Sequence, residues 1–198
     1  FGELAGDAAV AYASIARLGS AHSELLIVDA GDHRHARRLQ TVREALRAQA
    51  GLGRRVTAPC PHDDACPALQ RDRDWCHSRA RKGLPPRLAA FARAVGRDQD
   101  EMAYAFLAVS AVSAPPSAPR RGVLVIGEPH KEKGRARAPV CGPGGLRFLQ
   151  ALKRDRAAFD AVLALERGTR LHDGIAVGSV ADTAHVDATR LSLLSRPD

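Results

Sequence analysis

The chain has 198 residues and a mass of 21.1 kDa, which is one ordinary domain or a domain with a small appendage. Hydrophobic residues make up 45%, enough to bury a core and too many for a disordered chain. No apolar run approaches the roughly 20 residues that a bilayer-spanning helix requires. The 30 Lys and Arg outnumber the 22 Asp and Glu, for a net charge of +8. That surplus favours a polyanionic partner, nucleic acid ahead of an acidic membrane. Aromatic residues are only 4%, which argues against a multi-ring stacking platform for single-stranded bases.

Phe1 to Ile15 has no basic segment followed by an apolar stretch, so no signal peptide is read there. The chain does not begin with Met, and it reads as a fragment or a processed product. Asp7 to Leu18, with Val10, Ile15 and Leu18 among alanines, predicts a helix ending at Gly19. Glu24 to Asp29 (ELLIVD) is an almost wholly apolar run, the pattern of a strand buried on both faces in a parallel sheet under helices. His35 to Ala50 spaces Leu39, Val42 and Leu46 as an amphipathic helix. Arg54 to Ala58 follows as the next strand. This helix–strand alternation is the rhythm of an α/β fold.

Periodicity then fails. Pro59 to Gly83 holds three of the four cysteines among charges, and reads as a long loop that something must organise. Leu88 to Val95 predicts a short helix, Glu101 to Val112 a core strand and Ala114 to Pro119 a linker. Beyond the linker, Gly122–Gly127, Arg135–Cys141 and Leu146–Leu152 predict three strands of a small antiparallel meander. Glu128–Gly134 and Gly142–Gly145 are read as their turns. Asp155 to Leu165 predicts a helix and Ile175 to Val180 one more strand; the tail from Ala181 carries no signal. The expected organisation is therefore an α/β unit over 1–113 with a cysteine-rich loop at 59–83, a basic β-meander over 120–180 and a tail over 181–198.

Cys60, Cys66, Cys76 and Cys141 sit among Pro, His, Asp and Arg (APCPHDDACP, DWCH, VCGPGG). Thiols in polar loops do not serve packing, so they point to bonding. Disulfides are one possibility, but nothing marks the chain as secreted. Four thiolates otherwise suit zinc or an iron–sulfur cluster. The wide, uneven gaps fit a larger cluster somewhat better than a zinc knuckle, without deciding between them. His62 and His77 are alternative ligands, read more readily as neighbours of the centre. Trp75 is read as a cover over it, and Asp63, Asp64, Asp72 and Asp74 as partners of the surrounding arginines. Lys131, Lys133, Arg135, Arg137 and Arg147 form a basic set on the meander, with Lys133, Arg135 and Arg137 expected to project together and to follow an RNA phosphate backbone.

APCPHDDACP with DWCH, the E-x-x-Y segment Glu101 to Tyr104 and the GEPHKEKGRARAPVCGPGG hairpin together resemble the methyltransferase-like Rsm family, small-ribosomal-subunit assembly proteins of bacteria and mitochondria. The resemblance runs from about Leu25 to Leu171. LLIVDAGD is similar to that family's late sheet strand, where LLIVEPG is usual. The resemblance implies the C-terminal part of a class I methyltransferase-like, Rossmann-type sheet. It also implies a four-iron four-sulfur cluster on Cys60, Cys66, Cys76 and Cys141, and binding to small-subunit rRNA, with no membrane partner. It places the protein in the bacterial cytoplasm or, in a eukaryote, the mitochondrial matrix. The glycine-rich loop that cradles S-adenosylmethionine is not found, so the methyl donor is expected only in a longer protein. The expected function is an rRNA-binding assembly factor. The alternatives are an rRNA methyltransferase whose cofactor half lies outside this chain and a zinc-stabilised nucleic-acid-binding module.

Overall fold

The computed structural model describes residues 10, 24–48, 54–81, 83–96, 101–111, 122–172 and 183–185. The expected linker at 114–119 and strand at 175–180 lie outside these residues, as does the expected helix over 7–18 except at Val10.

The first layer is built on β4 (Glu101–Ala111), the long apolar strand. Strand β1 (Leu25–Ala30) pairs antiparallel along one of its edges, from Leu25 opposite Val109 to Ala30 opposite Tyr104. On the other edge β2 (Arg54–Ala58) and β3 (Ser78–Arg81) pair end to end, Ala58 opposite Ala108 and Ser78 opposite Tyr104. Both β1 and β2 run against β4, so they run parallel to each other, joined by α1 (His33–Ala48). Ala36, Leu39, Val42 and Leu46 form the buried stripe of α1, at the spacing of one helical face. The stripe packs on Ala105, Leu107 and Val109, the alternate residues of β4, together with Ile27 and Val56.

Asp32 starts α1 by accepting the His35 backbone N–H at 3.0 Å. Gly31 just before it lies so close to β4 that a Cβ would stand 2.5 Å from the Tyr104 nitrogen. Helix α2 (Pro86–Ala94) has no buried residues.

The second layer is a sheet in the order β10 (Thr183–His185), β8 (Gly145–Leu152), β7 (Arg135–Gly142), β5 (Gly122–Val125) and β9 (Arg170–His172), with β6 (His130–Glu132) on β7. Helix α3 (Arg156–Leu163), capped by Asp155, lays Phe159 and Val162 on Ala136, Ala138, Val140 and Leu149.

Several expectations need correction. The Glu24–Asp29 strand is not buried on both faces: Ile27 is 4% exposed, but Leu26 is 64% and Val28 53%. Its pairing is antiparallel, and α1 covers only one face. The Pro59–Gly83 segment is not a bare loop; it contains a 3-10 turn at Pro67–Gln70 and β3. The Glu128–Gly134 turn contains β6. The tail contributes β10, which pairs parallel to β8, so the second sheet is not wholly antiparallel.

Candidate metal centre

The cysteine segment leaves β4 at the Ala58–Ala108 pair and returns to the same edge at the Ser78–Tyr104 pair. The two attachment points are four residues apart on one strand, about 14 Å at the usual strand rise. Cys60 stands just beyond the first and Cys76 just before the second, so the backbone of β4 pins both. Between them Cys66 precedes the 3-10 turn, its carbonyl accepting from Leu69 N at 3.2 Å.

Two arginines of α1 hold this segment down. One nitrogen of Arg37 donates to the carbonyls of Ala68 (3.1 Å), Arg71 (2.8 Å) and Asp74 (2.8 Å). Arg43, only 3% exposed, donates Nε to Cys60 Sγ at 3.1 Å and Nη2 to the His62 carbonyl at 2.9 Å. Its third partner is Glu44, whose carboxylate also accepts Arg47 Nε at 2.9 Å and the Cys66 backbone N–H at 3.0 Å. Burial alone would lower the Arg43 pKa; Cys60, Glu44 and Cys66 outweigh it and hold it raised.

Cys141 reaches the same place from the second sheet. The alternation of β7 buries Ala136, Ala138 and Val140 against α3 and turns Pro139 and Cys141 the other way. The Cys141 sulfur lies 3.3 Å from His62 Nε2. Arg170 Nη2 donates to the Pro59 carbonyl at 3.0 Å, a second tie between the layers. All four cysteines line one cleft of about 910 Å³, and no disulfide joins any of them.

Burial, with the Cys60 and Cys66 thiols beside it, pushes the Cys76 thiol up to about 12. Burial and the other three thiols raise Cys141, and burial raises Cys66. These thiols are thus neutral near pH 7, and a metal would have to displace their protons. Burial and the Arg43 charge lower the His62 pKa, which keeps that imidazole neutral. Among the described residues, its Nδ1 and both amide atoms of Gln40, a 7%-exposed residue of α1 on the cleft wall, have no hydrogen-bond partner. No group of three or more His, Cys, Asp or Glu side chains among the described residues is arranged to hold a metal ion.

Trp75, read as a cover, lines the cleft. It is 40% exposed, with His77 stacked on it at 5.8 Å, His33 edge-on at 5.3 Å and its N–H donated to the Gly31 carbonyl at 3.2 Å. His77 lies beside the cleft with its pKa lowered, by burial first and then by Arg167 and Arg79. Among the acidic residues, Asp72 faces Arg37 at 3.5 Å and Asp74 faces Arg73 at 3.9 Å. Asp64 stands 3.8 Å from His62.

The expected basic row is split. Lys133 sits in the β6–β7 turn, not on the strand, so it does not project with Arg135 and Arg137. Lys131 pairs with Ala136 and lies on the opposite face from those two arginines. Arg147 is half-buried on the cleft wall, against the Gly144 turn. Arg135 and Arg137 share a face and a partner: Glu132 accepts Arg135 Nε at 2.5 Å and Arg137 Nη1 at 3.2 Å. The Arg137 guanidinium lies 4.1 Å from the centre of the Phe148 ring. Arg135 and then Arg137 hold the Glu132 carboxyl down at about 2, so it is ionised at every physiological pH. Arg37, Arg43, Gln40 and Glu132 were not singled out in the sequence. A readable signal existed for two of them, because Gln40 and Arg43 fall inside the Leu39–Leu46 apolar stripe, where a polar group needs a buried partner.

The family model described as mitochondrial small ribosomal subunit Rsm22 matches residues 4–171, a span that contains all four cysteines and ends within β9. The search of curated proteins gave no match.

Proposed function

The chain belongs to the Rsm22 family, and we propose that it is an assembly factor of the small ribosomal subunit that binds that subunit's rRNA through a basic surface. In this reading the surface is shaped by a four-iron four-sulfur cluster on Cys60, Cys66, Cys76 and Cys141. In a eukaryote it would act in the mitochondrial matrix. No helix among the described residues is long and apolar enough to cross a membrane.

One observation carries the reading: thiols from two layers, far apart in sequence, line one cleft. The donor set suits a thiolate-bound centre. Four cysteines, an arginine whose buried guanidinium donates to one of them, and Gln40 and His62, each with polar atoms unpartnered among the described residues, all line that cleft. A chelating spacing is a property of the bound form, because ligand sites are rarely preformed without their metal. The cluster would supply a cross-link between the Cys60–Cys76 segment and the β7–β8 hairpin; the chain's own residues would do the binding. Arg135 and Arg137 lie on the same face of β7 as Cys141, so the cross-link would fix the cationic face relative to the first layer.

The same topology supports a methyltransferase-like, Rossmann-type reading of the first sheet. Strands β1 and β2 are parallel neighbours of an inserted antiparallel β4, and the outer edge of β1 is unpaired among the described residues. Methylation remains the alternative function, in a longer protein carrying the S-adenosylmethionine loop. A zinc centre is separated from an iron one by metal analysis.

Replacing Lys133, Arg135 and Arg137 together with alanine should weaken binding to small-subunit rRNA and flatten its salt dependence. Each phosphate that is no longer neutralised takes about 0.7–0.9 off the log–log slope. Filter binding across a salt series reads this, and an unaltered slope would rule out the hairpin as the RNA-binding element. Glu132→Gln should have the opposite effect, raising affinity by freeing both arginines; weaker binding would contradict the assignment of Glu132 as their restraint.

A further inference from the structure

Gln40 lines the cleft with its amide buried, yet neither its oxygen nor its nitrogen has a hydrogen-bond partner among the described residues. An unmade hydrogen bond of this kind destabilises a fold, and buried amides in native proteins are almost always satisfied. Gln40 lies one helical turn before Arg43, so the two side chains are neighbours on one face of α1. Arg43 already donates to the Cys60 sulfur at 3.1 Å. No backbone carbonyl or side-chain oxygen among the described residues accepts from Gln40. What the Cys60–Cys141 cleft would hold, on the metal reading, is sulfur carrying negative charge.

We infer that Gln40 donates an amide N–H to a sulfur of the inorganic centre, so that Gln40 and Arg43 form a donor pair, one turn apart, that retains the centre. This rests on the proposed metal reading. Hydrogen bonds to cluster sulfur and nearby positive charge stabilise the anionic centre, and groups outside the ligand set govern metal retention strongly. Gln40 is a positioning residue here, not a ligand.

The experiment uses the full chain, loaded anaerobically, and compares wild type with Gln40→Met, which keeps the volume and removes the amide. Metal release to a chelator and thermal melting are measured, the latter with and without metal. Loaded Q40M should release metal about tenfold faster or more. Metal-stripped Q40M should melt at or above the wild-type temperature, because an unsatisfied amide has gone. Unchanged release would overturn the inference, and so would an equal loss of stability in both forms, which marks a packing role. Gln40→Glu provides the second arm. It has the same shape but no N–H to give, and should release metal at least as fast as Q40M; wild-type retention would show that the amide is not a donor. A wild-type protein that takes up neither iron nor zinc would overturn the metal reading itself. Metal uptake with wild-type retention in both variants would overturn only the role of Gln40.

Discussion

Replacing Arg43 with methionine is expected to destabilise the fold by about 3 kcal/mol, the lower end of the cost of removing one partner from a buried ionic pair. The guanidinium is 3% exposed and joins three groups from two segments: the Cys60 sulfur, the His62 carbonyl and Glu44. Methionine keeps the stem packed in the α1 stripe and removes all three bonds. Glu44 would retain Arg47 and the Cys66 amide, which is why the upper end of the range is not expected. Urea unfolding should show a lower midpoint with an unchanged slope. A change below about 0.5 kcal/mol, the size of an ordinary surface substitution, would show that Arg43 is not the anchor of the cysteine segment.

Cys141→Ser is expected to abolish stable metal loading and to loosen both sides of the cleft. Cys141 is the only cysteine contributed by the second layer, so its loss removes the tie across the layers and not merely one ligand of four. Outer-shell changes alone lower metal affinity roughly 10–100-fold, and loss of a thiolate should exceed that. Trypsin is the natural probe, because Arg71, Arg73 and Arg79 lie in the segment that would be released. Loaded wild type should resist cleavage there, while the variant should be cut at least about tenfold faster. Serine keeps the size of the side chain, so the core of β7 and α3 should persist as a resistant fragment. Equal metal content and equal protection in wild type and variant would remove Cys141 from the ligand set.

Where the sequence carried a period, the fold could be read from it. The spacing of Leu39, Val42 and Leu46 placed α1 within two residues, and the alternation in RARAPVC placed β7 within one. The family could be read as well, through the cysteine motifs. What escaped had no period of its own. LLIV is apolar at every position, so it cannot show that Leu25 and Ile27 face α1 while Leu26 and Val28 are exposed. SRAR and HKE have no apolar signal because each adds at the edge of a strand already formed; their state is decided by β4 and β7, not by their own residues. Missing β3 also hid the most useful feature of the site, the return of the cysteine segment to the strand it had left. The split of the basic row was legible, since Lys133 lies inside the Glu128–Gly134 segment read as a turn, where the alternation of β7 does not extend.

Whether sulfurs from both layers hold a single iron–sulfur centre is tested most directly by elemental and acid-labile sulfide analysis of protein purified without oxygen. The expected result is a brown protein with iron and sulfide in equal amounts, both lost in Cys141→Ser. Zinc in place of iron, or protein that folds with its cysteine segment protected while holding no metal, would contradict it.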